Sequence, residues 1–258
     1  MKIRMLNLEY PDDPQLSMAT EEAIFINVIK GKSPNTFRFY RHRNAIVLGC
    51  FQLAAQEVDE DFSNSKNISI VKRVTGGGAV YHDMGNLNFS IITNDKFGIG
   101  NDVPKLYSTM MQGALQAFKN IGINPQPGKL NDISVTNKKI LGAAATMRSG
   151  SLLFHACVLV DVNLTTLASS LKVPGIKLKD KGVATVLERV TNVKAISGNG
   201  INEVKEALLN GYSQTLNLEF ELGDLTNEES ELAKRLYESK YSKSEWNMGR
   251  EIIDIHYE

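Results

Sequence analysis

RVTGGGAVYHDMGNLNFS, residues 73 to 90, is the stretch that decides how this chain folds. It places three consecutive glycines, a His-Asp pair and a further glycine between two apolar runs. The run before it, Ile68 to Val71, predicts a strand. After it, Leu87, Phe89 and Ile91 alternate with polar residues and predict another. Glycine adopts positive φ without penalty and lets a ligand touch the main chain, and the exposed N–H groups of such a loop suit an anionic group.

Two common nucleotide-binding glycine motifs do not fit this stretch. A GxxxxGK[ST] loop needs Lys-Ser or Lys-Thr after the glycines, and neither follows. A GxGxxG motif counted from Gly76 would need glycine where Tyr81 stands. A glycine-rich hairpin without a ligand is the simplest alternative. Arg73, His82 and Asp83 beside the glycines favour a binding site instead.

The composition is that of a globular protein without a charge bias. Hydrophobic residues make up 42% and charged residues 22% of the 258 positions, which is enough for a sizeable core. Lys+Arg and Asp+Glu both number 29, so we expect neither nucleic-acid binding nor attraction to a membrane surface. The N-terminus lacks an apolar signal core, and the longest apolar run, Leu152 to Val160, is too short to span a bilayer. We therefore expect a cytoplasmic protein.

Local patterns predict strands and helices joined mostly by short turns. The predicted strands are Lys2–Leu8, a hairpin of Thr36–Tyr40 and Ala45–Gly49, Ile68–Val71, a hairpin of Ile133–Val135 and Ile140–Met147, and Leu152–Asp161. The predicted helices are Ser17–Lys30, Asp102–Ile121, Asn202–Asn217 and Thr226–Ser242, the last with a capping box from Thr226 to Glu229. A basic, irregular loop is predicted from Lys172 to Lys181.

This order of elements favours an α+β fold. Short turns between strands indicate a mixed, largely antiparallel sheet with helices packed on it rather than a doubly wound parallel sheet. No linker interrupts the chain, so we expect one domain over residues 1–258.

Lys139 is a candidate for contact with an anion. It begins a strand of small residues, Leu141 to Thr146, which something can approach closely. A lysine there can act as a point charge against a phosphate or a carboxylate. Taken alone, the segment favours a solvated turn lysine over a ligand contact, although Lys138 suits that role better.

The histidines and cysteines give weaker signals. His82 and Asp83 are adjacent, so on a strand their side chains point to opposite faces, and structural hydrogen bonding is as good an interpretation as acid–base chemistry. His155 in an apolar strand is typical of a satisfied core histidine. None of the four histidines has metal-ligand spacing to another, so we expect no zinc site. Cys157 is more typical of a buried thiol than of a nucleophile, and with Cys50 it implies no disulfide framework.

Segments spread in order over nearly the whole chain match the pattern of one family. RVTGGGAVYHDMGN at 73–86 is close to RRxxGGGxVxHDxGN, with Lys72 in place of the first arginine. ND at 131–132 and KILGA at 139–143 are close to ND…K[IV]xG[SA]. Later matches are FH at 154–155 with Asp161, KG at 181–182, RVTN at 189–192 and WN at 246–247. The chain thus resembles lipoate–protein ligase A, and several spaced motifs are more specific than any one.

The resemblance implies a fold, a reaction and a set of site residues. The fold would be that of the biotin/lipoate ligase catalytic domain, related to class II aminoacyl-tRNA synthetases. ATP and lipoate would give lipoyl-AMP, and the lipoyl group would pass to a lysine of a lipoyl domain. Lys139 would be catalytic and Asp132 would coordinate Mg²⁺, while the loop from Lys172 to Lys181 would cover the adenylate. The implied binding residues are Arg73, Gly76, Gly77, Gly78, Ala79, Val80, Tyr81, His82, Asp83, Asn131, Asp132, Lys139, Gly142, Ala143 and His155.

The resemblance also implies partners. The acceptors would be lipoyl domains of 2-oxoacid dehydrogenase acyltransferase subunits and the glycine-cleavage H protein. Long forms of the family continue past the WN motif into an accessory C-terminal domain, and this chain ends at Glu258. We therefore expect that domain to be supplied by a separate accessory subunit.

Three alternatives stay open at this point. An octanoyltransferase of the same fold would need a nucleophilic cysteine near Asn131-Asp132 or near Pro174-Gly175, and neither segment has one. A biotin ligase would carry a different glycine-rich loop. A non-catalytic lipoate-binding or regulatory subunit would have no need for Arg73, the triple glycine and Lys139 together.

Overall fold

The computed structural model describes residues 1–94, 97–128, 130–172 and 179–249. The described strands are β1 Lys2–Asn7, β2 Thr36–Tyr40, β3 Asn44–Leu48, β4 Ser69–Lys72, β5 Val80–Asp83, β6 Asn86–Thr93, β7 Gln126–Pro127, β8 Asp132–Val135, β9 Lys138–Arg148, β10 Ser151–Leu159 and β11 Glu219–Leu222. The described helices are α1 Pro14–Ile29, α2 Ala54–Glu57, α3 Glu60–Ser65, α4 Val103–Asn120, α5 Leu164–Ser170, α6 Lys179–Arg189, α7 Val193–Ser197, α8 Ile201–Leu216, α9 Asn227–Leu236 and α10 Ser244–Met248.

The strands form two sheets. The larger has the order β11-β1-β2-β6-β10-β9-β8-β7, and the smaller has the order β4-β3-β5. In the larger sheet β1 runs parallel to β11 and β2, while the other neighbours are antiparallel. The smaller sheet has one parallel and one antiparallel pair. This mixed, largely antiparallel arrangement with packed helices confirms the α+β prediction.

The predicted hairpin of Thr36–Tyr40 and Ala45–Gly49 is wrong. β2 pairs with β1 and β6 in the larger sheet, whereas β3 pairs with β4 and β5 in the smaller one. The connection from Arg41 to Arg43 therefore carries the chain from one sheet to the other. Both segments alternate correctly for a strand, but alternation does not say which partner a strand takes.

Two predicted helices have different bounds in the structure. Helix α1 begins at Pro14 rather than Ser17, because the Asp13 side chain accepts from the backbone N–H of Leu16 and proline suits the first turn. The segment predicted as one helix from Thr226 to Ser242 is α9 followed by a π-helical turn, Tyr237–Tyr241. The predicted capping box is confirmed, since Thr226 Oγ1 accepts from Glu229 N at 3.1 Å and Glu229 Oε2 from Thr226 N at 2.8 Å.

The main core lies on one face of the larger sheet, beneath α4 and α8. Phe37 stacks on Phe89 with ring centroids 5.5 Å apart, and Tyr212 of α8 packs edge-on against both rings. The two helices approach closely through glycine: a Cβ on Gly211 would lie 2.2 Å from Gly113 O. A larger residue there would separate the helices and open the aromatic core.

Part of the opposite face of the larger sheet packs against α1 through Leu6, Ile92 and Leu153, and the part beside it carries smaller and polar residues. Its site region is a row across five strands: Asp132, Gly142, Cys157, Asn88 and Tyr40 are successive register partners. With strands roughly 4.8 Å apart, this row spans roughly 19 Å. Such a length suits an extended ligand laid across the strands. In the described part of the chain, no helix is both long and apolar enough to cross a membrane.

Candidate functional site

A pocket opens between this face and the smaller sheet. Its empty volume is about 560 Å³, including the part that opens to solvent. The predicted binding residues that line it are Arg73, Gly78, Ala79, Val80, His82, Asn131, Lys139, Gly142, Ala143 and His155. The other lining residues are Tyr40, Val47, Asn88, Ala144, Ala156 and Cys157. Gly76, Gly77, Tyr81, Asp83 and Asp132 do not line it.

The Arg73 guanidinium holds the glycine loop in place. It is 5% exposed, and its Nη2 donates to Gly76 O at 2.7 Å and to Gly78 O at 2.9 Å. Nη1 donates to Val47 O at 3.1 Å. The sequence interpretation placed Arg73 in contact with the ligand. The structure shows that most of its hydrogen bonds order the loop that lines the pocket.

The three glycines of the loop differ in backbone conformation and in the space that a Cβ would have. Gly77 has φ +92°, and a Cβ there would lie 2.9 Å from Arg73 Nη2. Gly76 has an ordinary φ, and its Cβ would make normal contact with the Phe51 ring at 3.7 Å. Gly78 has nothing within 4 Å of a Cβ and lines the pocket. Only Gly77 needs glycine for its backbone, while Gly78 leaves space in front of the main chain.

Lys139 lies at one end of the pocket in an ion pair with Asp132. The ammonium is 2.5 Å from Asp132 Oδ1, and both side chains are more than a third exposed. Gly142 makes room for this pair: a Cβ there would lie 2.6 Å from Lys139 Nζ. The pair is close enough for Coulomb attraction but lacks the angles of a hydrogen bond. The ammonium is thus positioned beside the pocket and reachable by a ligand.

Asn131 shapes the same end of the pocket. Its side-chain nitrogen donates to Ala143 O at 2.7 Å, and its backbone carbonyl oxygen accepts from Ala143 N at 2.8 Å. These bonds fasten the segment before β8 to β9. The Lys139 end of the pocket is therefore built by a turn, two paired strands and this asparagine.

His155 is held by hydrogen bonds on both ring nitrogens. Nδ1 lies 2.9 Å from Glu21 Oε2, and Nε2 lies 2.7 Å from Thr75 Oγ1. The same hydroxyl oxygen accepts from Arg73 Nε at 3.0 Å. Although burial alone would raise the pKa of Glu21, the charge and hydrogen bond of His155 bring it below its ordinary value. This chain of contacts ties helix α1, strand β10 and the glycine loop together.

The far end of the pocket contains a neutral histidine. Burial, with the Arg73 charge next in size, lowers the pKa of His82 to about 3. Its Nδ1 lies 3.1 Å from Nδ1 of His42, whose pKa burial also lowers well below the usual range. Tyr40 and Val47 lie at the same end, in the small apolar cluster around α1. The pocket therefore has the part-exposed Lys139 ammonium at one end. At the other end lie the neutral His82, apolar side chains and the Arg73 guanidinium, which is buried and hydrogen-bonded to the loop and to β3.

Tyr81 and Asp83 face other parts of the molecule. The Asp83 carboxylate accepts from Gly85 N at 2.7 Å and from Asn163 N at 2.8 Å, so it fastens the β5–β6 turn. Tyr81 is 5% exposed in a satellite core and donates to Asn44 Oδ1 at 3.2 Å. Neither residue lines the pocket, so the structure does not place them where the sequence interpretation expected them to bind a ligand.

Cys157 lines the pocket as a buried thiol. Burial raises its pKa to about 12. Its sulfur accepts from Asn86 Nδ2 at 3.1 Å. A thiol with this pKa carries almost no thiolate at neutral pH, and the thiolate is the nucleophile.

Comparison with known sequences identifies the family. The family described as the lipoyl protein ligase A/B catalytic domain matches residues 13–213. The chain belongs to this family. The fold that the sequence resemblance implied is thereby confirmed.

Relatives within the family carry two kinds of name. Lipoate-protein ligase A subunit 1 of Thermoplasma acidophilum is 40% identical, over 96% of this chain and 97% of that protein. Lipoate–protein ligase 1 of Staphylococcus aureus is 34% identical, over 92% and 71%. Octanoyltransferase LipM of Brevibacillus brevis is 29% identical, over 92% and 95%.

Solved structures of the family have the same fold. A bi-partite T. acidophilum lipoate protein ligase, solved in a study that includes its E2 lipoyl domain, superposes with a TM-score of 0.91 at 40% identity over 99% of both chains. A lipoate-protein ligase A bound with ATP gives 0.88 at 38% identity, over 97% and 100%. A T. acidophilum protein with bound lipoic acid gives 0.86 at 37% identity, over 96% and 100%.

The described residues of this family member contain no ready-made metal centre. No group of three or more His, Cys, Asp or Glu side chains is placed to hold a metal ion within the described ranges. Asp132 is a single hard oxygen ligand beside the pocket. A magnesium ion there would take its other ligands from phosphate oxygens and water, which is how Mg²⁺ is usually held at nucleotides.

Several site residues were missed by the sequence patterns. Thr75 stands inside the glycine stretch. Glu21 is one of two adjacent acids in an otherwise uncharged helix that is mostly buried, and such a pair can indicate a buried ionic partner. Asn88 reaches the pocket through the pairing of β6 with β2, and His42, in the connection between β2 and β3, contacts His82. No local pattern indicates that placement.

Proposed function

We propose that this chain activates lipoate with ATP to form lipoyl-AMP and transfers the lipoyl group to a lysine of a lipoyl domain. The observation that carries the proposal is the part-exposed Lys139 ammonium, set beside Gly142 at one end of a long pocket whose other end is lined by apolar side chains and a neutral histidine, with the Arg73 charge there bound to the protein's own oxygen atoms. Relatives that superpose over almost the whole chain were solved with ATP and with lipoic acid.

The pocket orients an amphipathic acid in one direction. A dithiolane and its alkyl chain are neutral, so they favour the end with Tyr40, Val47 and the uncharged His82. The carboxylate is drawn to the Lys139 ammonium, which is part-exposed, whereas the Arg73 guanidinium is buried and already hydrogen-bonded within the protein. The open space in front of Gly78 lets the adenylate approach main-chain N–H groups of the loop.

In the first step, a lipoate carboxylate oxygen attacks the α-phosphorus of ATP. A carboxylate–phosphorus bond forms, the bond to the bridging oxygen breaks, and pyrophosphate leaves with the electron pair. Lys139 stabilises the negative charge that develops on the phosphoryl oxygens. Mg²⁺, when bound, neutralises phosphate charge, and Asp132 is the residue that would hold it.

In the second step, the neutral ε-amine of an acceptor lysine attacks the carbonyl carbon of lipoyl-AMP. An amide forms, AMP leaves as the phosphate monoester, and the amine gives up one proton. Lys139 acts on the carbonyl oxygen as charge builds there. We propose lipoyl domains of 2-oxoacid dehydrogenase acyltransferase subunits and the glycine-cleavage H protein as acceptors.

We infer that the first step uses a second polypeptide. The T. acidophilum relative is named subunit 1, and this chain aligns with 97% of it. A structure with a TM-score of 0.91 is described as part of a bi-partite ligase. We expect the chain alone to make lipoyl-AMP poorly and to transfer preformed lipoyl-AMP well.

One assay separates these possibilities. The chain is incubated with ATP, Mg²⁺, lipoate and an apo lipoyl domain, with and without a candidate second subunit, and the domain is weighed by mass spectrometry. Preformed lipoyl-AMP replaces ATP and lipoate in a parallel reaction. Modification from lipoyl-AMP alone supports the transferase half; strong ATP-dependent modification without the subunit would contradict the two-polypeptide inference. No modification in any arm would overturn the proposed function.

A further inference from the structure

Side chains near residue 246 hydrogen-bond to unpaired backbone groups of the strand that leads into the glycine loop. β4 is an edge strand of the smaller sheet, paired only with β3 among the described strands. At Lys72, its last residue, Asn247 Oδ1 accepts from the backbone N–H at 3.1 Å, and Trp246 Nε1 donates to the backbone C=O at 3.1 Å. Two side chains thus replace the partner strand at this one residue.

These contacts lie directly before Arg73. The backbone N–H of Arg73 points the other way and donates to Leu48 O at 2.9 Å in β3. Consecutive residues are therefore fixed from opposite sides, Lys72 by α10 and Arg73 by β3. Since the Arg73 side chain orders Gly76 and Gly78, the backbone at Lys72 sets where the loop begins.

The Trp246 ring is itself held firmly. It is 2% exposed, and Lys240 Nζ lies 4.1 Å from its ring centroid. Lys240 also forms a buried ion pair with Glu22 at 3.0 Å. The Lys72 ammonium donates to Gly249 O and lies 5.6 Å from the indole centroid. Asn247 Nδ2 donates to Tyr241 O at 2.6 Å, which fixes the orientation of its side-chain oxygen.

Helix α1 joins this cluster to the other support of the loop. Glu22 holds Lys240 beneath the tryptophan, and the preceding residue, Glu21, holds His155 against Thr75. The loop from Arg73 to Gly78 is therefore braced at its start by Trp246 and Asn247 and within it by His155, with α1 anchoring both.

We propose that Trp246 and Asn247 are positioning residues for the glycine loop: through the backbone of Lys72 they set the place of Arg73 and so of the main chain that receives the adenylate. The assignment of a ligand to this loop rests on the proposed function, whereas the coupling of residues 246–247 to the loop does not.

The test uses three variants of the full chain. N247A removes the acceptor for Lys72 N–H, and W246F keeps an aromatic ring but removes the donor to Lys72 C=O. L236V is the matched control, because Leu236 lies in the same buried cluster as Trp246 and makes none of these hydrogen bonds. Hydrogen exchange of residues 72–80 is measured without ligand, together with the melting temperature and lipoylation kinetics from preformed lipoyl-AMP.

The proposal predicts faster exchange of residues 72–80 in N247A and W246F than in L236V at equal loss of melting temperature. It also predicts that the KM for lipoyl-AMP rises about tenfold, the effect of roughly one positioned hydrogen bond, with a smaller change in kcat. Loop exchange and KM no different from L236V would overturn it. If the wild-type chain shows no lipoylation while the exchange difference persists, the coupling stands and the proposed function fails.

Discussion

Lys139 and Asp132 form an ion pair across the β8–β9 pair, with 2.5 Å between ammonium and carboxylate. Both side chains are more than a third exposed, so the pair itself adds little to the free energy of unfolding. Its importance is positional. Asp132 keeps the ammonium at the pocket, and an incoming phosphate or carboxylate can take over the contact.

Replacing Lys139 by alanine is expected to lower the rate of lipoyl transfer by about 10²–10³, the loss typical of one charge-stabilising donor. The fold should be unaffected, because the side chain is part-exposed and packs in no core. Single-turnover transfer from preformed lipoyl-AMP measures this step without the need for ATP. K138A is the control, since Lys138 is the exposed neighbour on the same turn. Equal losses in both variants would argue for a general turn effect.

Gly142 provides a second way to move the same ammonium. In Gly142→Ala the new Cβ would lie 2.6 Å from Lys139 Nζ, so the flexible lysine has to shift. We expect about a 10–100-fold loss of transfer, since misplacement by about 1 Å can cost that much. The melting temperature should barely change. The double variant K139A/G142A should be no slower than K139A alone, and additive losses would contradict this explanation.

The three glycines of the loop should respond differently to alanine. Gly77→Ala places a Cβ at φ +92° and 2.9 Å from Arg73 Nη2, so we expect loss of both stability, by about 1–2 kcal/mol, and transfer activity. Gly76→Ala gains only a normal contact with Phe51 at 3.7 Å and should retain the wild-type melting temperature. Thermal unfolding of the two variants decides between them. Equal destabilisation would mean that the loop conformation is not fixed at Gly77.

How far the sequence predicts this molecule depends on the range of each interaction. The Thr226–Glu229 capping box, helix α4 and the β8–β9 hairpin that carries Lys139 follow from signals within a few residues. The glycine stretch likewise indicated a binding loop. Each of these depends on neighbours in the sequence, which a single chain shows directly.

Pairing across long separations was not predictable in the same way. β2 and β3 alternate like the two strands of a hairpin, yet they enter different sheets. His155 is held by Glu21, which is 134 residues away. The polar residues that brace the loop sit in apolar segments, and their partners are defined only once the sheets have formed. The motif resemblance supplied what local physical patterns could not.

Acid should destabilise the fold through the histidine pair. The pKa of His82 is lowered to about 3, so between pH 6.5 and about 3 this histidine is protonated in the unfolded chain and neutral in the folded one. The unfolded state then binds more protons, and stability falls as pH decreases, by about 1.4 kcal/mol per pH unit for each such group. The pKa of His42 is also lowered, so His42 contributes in the same direction.

His42→Gln should make the slope of unfolding free energy against pH shallower by about one such group. Urea titrations from pH 7 to pH 4.5 measure it, and an unchanged slope would show that His42 is not buried neutral.

Cys157 separates ligase chemistry from the thioester chemistry of an acyltransferase, which matters because octanoyltransferases are among the relatives. Its pKa of about 12 leaves too little thiolate at neutral pH for a nucleophile. Asn86 Nδ2 lies 3.1 Å from the Cys157 sulfur, and Cys157→Ser keeps an acceptor for it. The variant should retain lipoyl transfer within about threefold, because exchanging a thiol for a hydroxyl that still satisfies this donor costs little free energy.

Cys50→Ser serves as the control for the other thiol, since burial raises its pKa too. Intact mass spectrometry of the wild-type chain after incubation with an acyl donor completes the test. Loss of activity in Cys157→Ser together with an acyl adduct on Cys157 would establish a thioester route, whereas retained activity with an unmodified thiol leaves the adenylate at Lys139 as the route that this pocket supports.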